Sequence, residues 1–71
     1  MTVRVPIDFG SALRVRRREL NLTQEDVASV IGVNRRVISE LERGKGTVQL
    51  QIAMEAARAL GVNIELAPRG K

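Results

Sequence analysis

Between Thr23 and Asn34 the chain carries a helix start, a helix stop and a second helix start, and this punctuation leaves few folds open. In "LTQEDVASVIGVN" Thr23 offers a capping hydroxyl, and Asp26 stands at the third helical position, from which a carboxylate reaches back to the cap. Gln24, Glu25 and Asp26 fill the first turn, where the acidic pair suits the positive end of the helix dipole. Val27, Val30 and Ile31 supply an expected buried face, and Gly32 ends the helix. The short turn Gly32–Val33–Asn34 then delivers Asn34 as the cap of the next helix.

Two short helices joined by so tight a glycine-containing turn make a helix-turn-helix pattern. The second of them is expected over residues 35 to 43. At about 100° per residue from Arg35, Val37, Leu41 and Ile38 fall near 200°, 240° and 300°, a single inward face. Arg35, Ser39, Arg43 and Arg36 fall between about 0° and 100°, a compact outward face, with Glu40 at its edge. Glu42 borders the apolar side, so it is an acid turned partly inward. Its counterpart lies upstream. In a first helix expected over roughly 9 to 20, capped by Asp8, one face carries Phe9, Leu13, Arg17 and Leu20. Arg17 is therefore a base on an inward stripe, and pairing with Glu42 is the economical arrangement. Such a pair fixes geometry, and removal of one partner is expected to cost about 3–5 kcal/mol.

Gly44, Lys45 and Gly46 read as a basic turn. A fourth helix ends at Leu60 before Gly61, while its start is open between a cap at Thr47 and an extended run to Leu50. Ala53, Met54, Ala56, Ala57 and Ala59 spread apolar surface around most of it, and a second subunit is the natural cover in so short a chain. In "VNIELAPR", Val62, Ile64 and Leu66 alternate with Asn63, Glu65 and Ala67 until Pro68 stops the run, which reads as a strand. One strand cannot satisfy its own backbone. Its partner is either "TVRV" near the N-terminus or the same strand of a twofold-related copy; the copy is favoured, because an antiparallel self-pair suits a C2 dimer. The expected organisation is an extended segment over 1–7, a helix-turn-helix domain over 8–61, a dimerisation strand over 62–67 and a tail over 68–71.

Seventy-one residues suffice for one domain. The chain has no cysteine or histidine, which removes disulfides, thiol chemistry and the usual zinc ligand sets, and no cofactor or metal site is expected. The same absence leaves no nucleophile–base arrangement, so an enzyme is not expected, and it suits a reducing cytoplasm. No apolar run reaches the roughly 18 residues of a membrane span, and the N-terminus lacks a signal-peptide plan. A membrane-active cationic helix fits poorly, since the basic residues are dispersed and broken by Glu. Twelve basic against eight acidic residues give a charge of +4, which favours a polyanionic partner. With one Phe and no Trp or Tyr, stacking on unpaired bases has little to work with, and duplex DNA is the better fit.

The stretch "LTQEDVASVIGVNRRVISELERGK", residues 22 to 45, resembles the Xre/Cro-type helix-turn-helix. The matching elements are "LTQ", Ala28, the Gly32 turn, Ile38–Ser39 and "LERGK"; with the flanking helices the resemblance covers roughly residues 8 to 60. "GTVQLQ", a helix ending "ALGV" and then "IELAP" are similar to the HipB-like antitoxins of type II toxin–antitoxin modules. Gln51 and the Arg35–Arg36 pair depart from the residues common there. The resemblance implies a mainly α, lambda-repressor-like bundle of four to five helices with a short C-terminal β-strand paired across a homodimer. It implies double-stranded DNA with an inverted-repeat operator as partner, an autorepressor role, and a HipA-like kinase toxin as second partner. No membrane and no small-molecule ligand is expected as a partner.

In that fold the third helix enters the major groove with its first residues toward the bases. Arg35 and Arg36 are then the base readers, since arginine bonds guanine O6 and N7 together. Ser39 is a secondary contact, and Glu40 either accepts from cytosine N4 or keeps away from phosphate. Thr23, Gln24, Asn34, Arg43, Lys45 and Arg14 are expected to position the backbone, with Arg16 and Arg18 more distant. Relatives place a glutamine at the position of Gln24 that braces the reading helix. Met54, Val62, Ile64 and Leu66 are the expected dimerisation residues. Rival readings are a stand-alone repressor of the same family, and a dimeric toxin-binding module with only non-specific DNA affinity.

Overall fold

Pro6 sets where the first helix begins. A proline ring suits the first helical position, where φ is already right and the missing N–H would have had no partner. In the computed structural model, which describes residues 2–70, the elements are α1 (Pro6–Glu19), α2 (Gln24–Ile31), α3 (Arg35–Glu42) and α4 (Leu50–Ala59). Met1, the head of the expected extended segment, and Lys71, the end of the expected tail, lie outside the described residues. Helix α1 thus starts earlier than expected, and Val5, not Asp8, is its N-cap. Asp8 sits inside the first turn and accepts from the N–H groups of Arg4 at 3.0 Å and Val5 at 3.4 Å. The helical domain accordingly opens at Pro6, inside the segment expected to be extended over 1–7.

The core gathers Leu13 from α1, Val27 and Ala28 from α2, Ile38 and Leu41 from α3, and Ala53, Ala56, Ala57 and Leu60 from α4 and its cap. Phe9, Leu22, Ile31, Val33, Val48 and Val62 pack at its margin. Two residues expected inside are not. Leu20 caps α1 and is exposed, and Val30 is 75% exposed. On the wheel of α2, Val27, Ala28 and Ile31 share one arc and Val30 lies beside it, so burying the first three against α3 and α4 turns Val30 outward.

Glycine permits a close approach between α1 and the end of α3. A Cβ on Gly10 would overlap the Leu41 carbonyl oxygen and lie 2.8 Å from that of Glu42. Gly44, in the left-handed region at φ +83°, lies so close to Ile7 that a Cβ there would stand 2.6 Å from the Ile7 Cα. Neighbouring backbone fills the position at Gly10, and the backbone and Cβ of Ile7 fill it at Gly44.

Helix α4 begins at Leu50, with Gln49 rather than Thr47 at its N-cap, and ends at Ala59 with Leu60 as C-cap. The expected C-terminal strand has no ladder: among the described residues none is in a strand, and neither residues 2–5 nor residues 62–67 pair within the chain. A strand exists only through a neighbour, and a single copy supplies none. Val62 stays tied back through its N–H to the Ala57 carbonyl at 2.8 Å, while Ile64 is 46% and Leu66 95% exposed. Among the described residues the fold is therefore a mainly α bundle of four helices. Among the described residues no helix is long and apolar enough to cross a membrane.

Candidate nucleic-acid interface

The helix boundaries that bracket the site are held as their residue types dictate. Thr23 Oγ1 accepts from the Asp26 N–H at 3.0 Å and the Thr23 N–H donates to Asp26 Oδ2 at 2.8 Å, a reciprocal capping box. Those bonds hold the Asp26 carboxyl below its ordinary value, the backbone N–H of Thr23 contributing most. Gly32 is left-handed at φ +77°, the conformation that stops α2, and Asn34 Oδ1 accepts from the Arg36 N–H at 2.8 Å to start α3.

Helix α3 then divides as its periodicity requires. Ile38, Leu41 and Glu42 are buried, Val37, Ser39 and Glu40 are half-buried, and Arg35, Arg36 and Arg43 are exposed. The Arg36 side chain is 82% exposed, so its guanidinium is open to solvent. Lys45, past the C-terminal end of α3, is also exposed. Glu40 is not an isolated acceptor: its Oε2 takes a hydrogen bond from Lys45 Nζ at 3.2 Å and stands 3.5 Å from Arg36 Nε. The outward face is thus basic with one carboxylate drawn in among its cations.

Beneath it, Arg17 and Glu42 meet as expected from their inward positions. Arg17 donates from Nε to Glu42 Oε2 at 2.6 Å and from Nη2 to Oε1 at 3.0 Å, a bidentate pair between side chains only 10% and 4% exposed. A third donor, Nη1, reaches the Leu22 carbonyl at 2.8 Å and so ties in the turn between α1 and α2. Burial pushes the Glu42 carboxyl up, but hydrogen bonds from Arg17 and Gln24, with the charges of Arg17 and Arg14, outweigh it and hold the group below its ordinary value. The hydrogen bond to Glu42 in turn raises the Arg17 guanidinium.

The resemblance implies a brace at Gln24, but its partners, and the role of Arg16, were not legible in the sequence. Gln24 Nε2 donates to Glu42 Oε1 at 3.0 Å, and Gln24 Oε1 accepts from Arg35 Nη1 at 3.2 Å, so it bridges the core pair to the exposed face. Arg16, grouped by sequence with Arg14 and Arg18 as a distant basic run, has its Nε on the Leu60 carbonyl at 3.0 Å and closes the end of α4. Both contacts join residues far apart in the chain, for which no spacing rule exists. Arg14 and Arg18 are exposed. The four expected dimerisation residues lie along α4 and the segment after it, with Met54, Ile64 and Leu66 exposed and Val62 half-buried.

The chain has close counterparts among known proteins. The helix-turn-helix family pattern HTH_3 matches residues 13–66. An uncharacterized HTH-type transcriptional regulator, y4mF, of Sinorhizobium fredii is 36% identical over 97% of this chain and 91% of its own. A second uncharacterized HTH-type transcriptional regulator, from Methanothermobacter thermautotrophicus, is 47% identical over 69% of this chain and 71% of its own. Among solved structures, a complex of HipB with the O4 20mer superposes with a TM-score of 0.87 at 20% identity, covering 96% of each chain. A HipA–HipB–O2–O3 complex contains a chain that superposes at 0.88, again at 20% identity and 96% of each chain. With the family pattern spanning most of its length and the capped α2–turn–α3 unit at its centre, the chain belongs to the Xre-type helix-turn-helix family.

Proposed function

We propose that the protein is a sequence-specific double-stranded DNA-binding transcriptional regulator that represses its own operon as a homodimer. One observation carries this reading: the exposed face of α3 presents Arg35 and Arg36 at its first turn, the end that meets base edges in helix-turn-helix docking. Arginine there favours guanine in each half-site. Thr23 and the first amides of α2 face phosphate, and Gln24, Asn34, Arg43, Lys45 and Arg14 position the backbone around them. Ser39 is a secondary base contact. Glu40, already bonded to Lys45, disfavours phosphate more than it reads cytosine.

Met54, Ile64 and Leu66, exposed in the single copy, and the half-buried Val62 form the dimer face, with the segment after α4 pairing antiparallel to itself across the twofold. Sedimentation at micromolar concentration is expected to give a dimer; a monomer would remove that part of the proposal.

The antitoxin of a type II toxin–antitoxin operon is the finer reading, with a HipA-like kinase as the second partner. The superposition on HipB chains supports it at the level of fold. A stand-alone repressor is the second reading, favoured by relatives named simply as regulators.

Selection from a randomised duplex pool at about 0.1–0.15 M salt tests the central claim, because that salt suppresses purely electrostatic binding. An enriched inverted repeat containing guanines, with half-sites about one helical turn apart, is the expected result. Binding without enrichment that fades as salt rises would reduce the arginines to a generic basic face. It would also leave a toxin-binding module as the function.

A further inference from the structure

Four side chains form one line of hydrogen bonds from the core to the exposed face of α3. Arg17 grips Glu42 through two bonds, Gln24 Nε2 donates to the same carboxylate at 3.0 Å, and Gln24 Oε1 accepts from Arg35 Nη1 at 3.2 Å. An ionised carboxylate only accepts and a guanidinium only donates. A carboxamide between them has one orientation that satisfies both, nitrogen inward and oxygen outward. The reverse would set oxygen against oxygen at Glu42 and nitrogen against nitrogen at Arg35. The Gln24 amide is therefore oriented from inside, by a carboxylate itself fixed by Arg17.

We propose that Glu42, acting through Gln24, is a positioning residue for base reading by Arg35. It holds the Gln24 oxygen outward, so that one Nη of Arg35 is anchored and the rest of the guanidinium is presented to the base in a fixed plane. Position 35 is then coupled to the core: a donor fits, whereas an acceptor-only residue would force the amide to turn and face Glu42 with its oxygen. A bidentate arginine discriminates by geometry, so loosening its plane lowers discrimination more than affinity. The inference rests on the reading of Arg35 as a base contact given above.

The test uses the full chain and its selected operator, with every single-base substitution of one half-site. Arg35→Ala first identifies the base pair that Arg35 reads, by the position whose discrimination it abolishes. The Arg17→Met, Glu42→Leu double variant removes the inner acceptor while keeping an apolar filling, and such exchanges of buried pairs often preserve folding. Discrimination at the Arg35 base pair, about tenfold or more in the unaltered protein, is expected to fall to a few-fold. Discrimination at other positions and binding to unrelated DNA stay as they were. In a Gln24→Ala background the same double change has no further effect on that base pair. A general loosening of structure would act additively there and at every base.

Full discrimination in the folded double variant, or an additive loss in the Gln24→Ala background, overturns the relay alone. No base-specific effect of Arg35→Ala overturns the reader assignment and the relay with it. Should the double variant fail to fold, the side-chain amide of Gln24 is followed by nitrogen-15 NMR in the unaltered protein. Resonances shifted from those of exposed glutamines, and slow exchange with water, are expected. Resonances of an ordinary exposed glutamine overturn the inference.

Discussion

Gly10 is where a single methyl group tests the packing beneath the interface. In Gly10→Ala the new Cβ would overlap the Leu41 carbonyl oxygen and lie 2.8 Å and 2.9 Å from the carbonyl oxygen and carbon of Glu42, where ordinary contact begins at 3.4 Å. All three atoms are backbone at the end of α3, so no side chain can swing aside. Relief requires α1 to back away by about an ångström. Overpacking of this kind costs about 1–3 kcal/mol, and a rigid backbone neighbour puts this site at the upper end. Alanine in a helix interior returns up to about 1 kcal/mol relative to glycine. The net loss is about 2 kcal/mol, or a fall of about 8–16 °C in Tm for a domain of this size.

The same movement draws Arg17, two turns further along α1, away from Glu42, whose bonds at 2.6 and 3.0 Å leave no slack. Thermal unfolding followed by circular dichroism measures the loss. Gly46→Ala is the control, because its Cβ would make only an ordinary 3.7 Å contact with Pro6 Cγ. Equal melting temperatures for Gly10→Ala and the unaltered protein would refute the close approach of α1 to α3.

Three further outcomes follow from the site. Glu42→Ala leaves Arg17 buried without its anion and is expected to cost about 3–5 kcal/mol in denaturant unfolding. Because the folded carboxyl lies below its ordinary value of 4.5, the unfolded chain takes up the proton first; the pair's contribution is complete above about pH 4.5 and is lost as pH falls through the folded value. Acid titration of stability is expected to show that loss in the unaltered protein and not in Glu42→Ala. Arg16→Ala, which frees the Leu60 carbonyl, should lower stability by about 1 kcal/mol and leave the salt dependence of DNA binding unchanged. Arg36→Ala should flatten preference at one base pair, whereas Lys45→Ala should weaken all sequences alike and reduce the salt slope by about 1, read from binding curves across a salt series.

Local chemistry determined most of the architecture from the sequence alone. The Thr23–Asp26 box, the Gly32 stop and the Asn34 cap act within a few residues of themselves, so their consequences are readable in one dimension. The division of α3 into apolar and basic faces follows from helical period alone, and the Arg17–Glu42 pair could be inferred because two inward charges cannot remain unpartnered. What the period does not specify is where each buried arc is centred. Val30 is turned out, and Leu20 is exposed at the helix end, because α2 and α1 meet their neighbours along particular lines that only packing selects. Asp8 lies inside the first turn and is not the cap, because Pro6 starts the helix two residues before it.

Tertiary structure alone decided the rest. Gln24 bridges Glu42 to Arg35, Arg16 closes α4, and Gly10 lies against α3, each through contacts between residues distant in the chain. The strand-like alternation of residues 62–67 lies at the opposite limit: its pattern is plain in the sequence, but backbone hydrogen bonding needs a second strand that one copy does not contain.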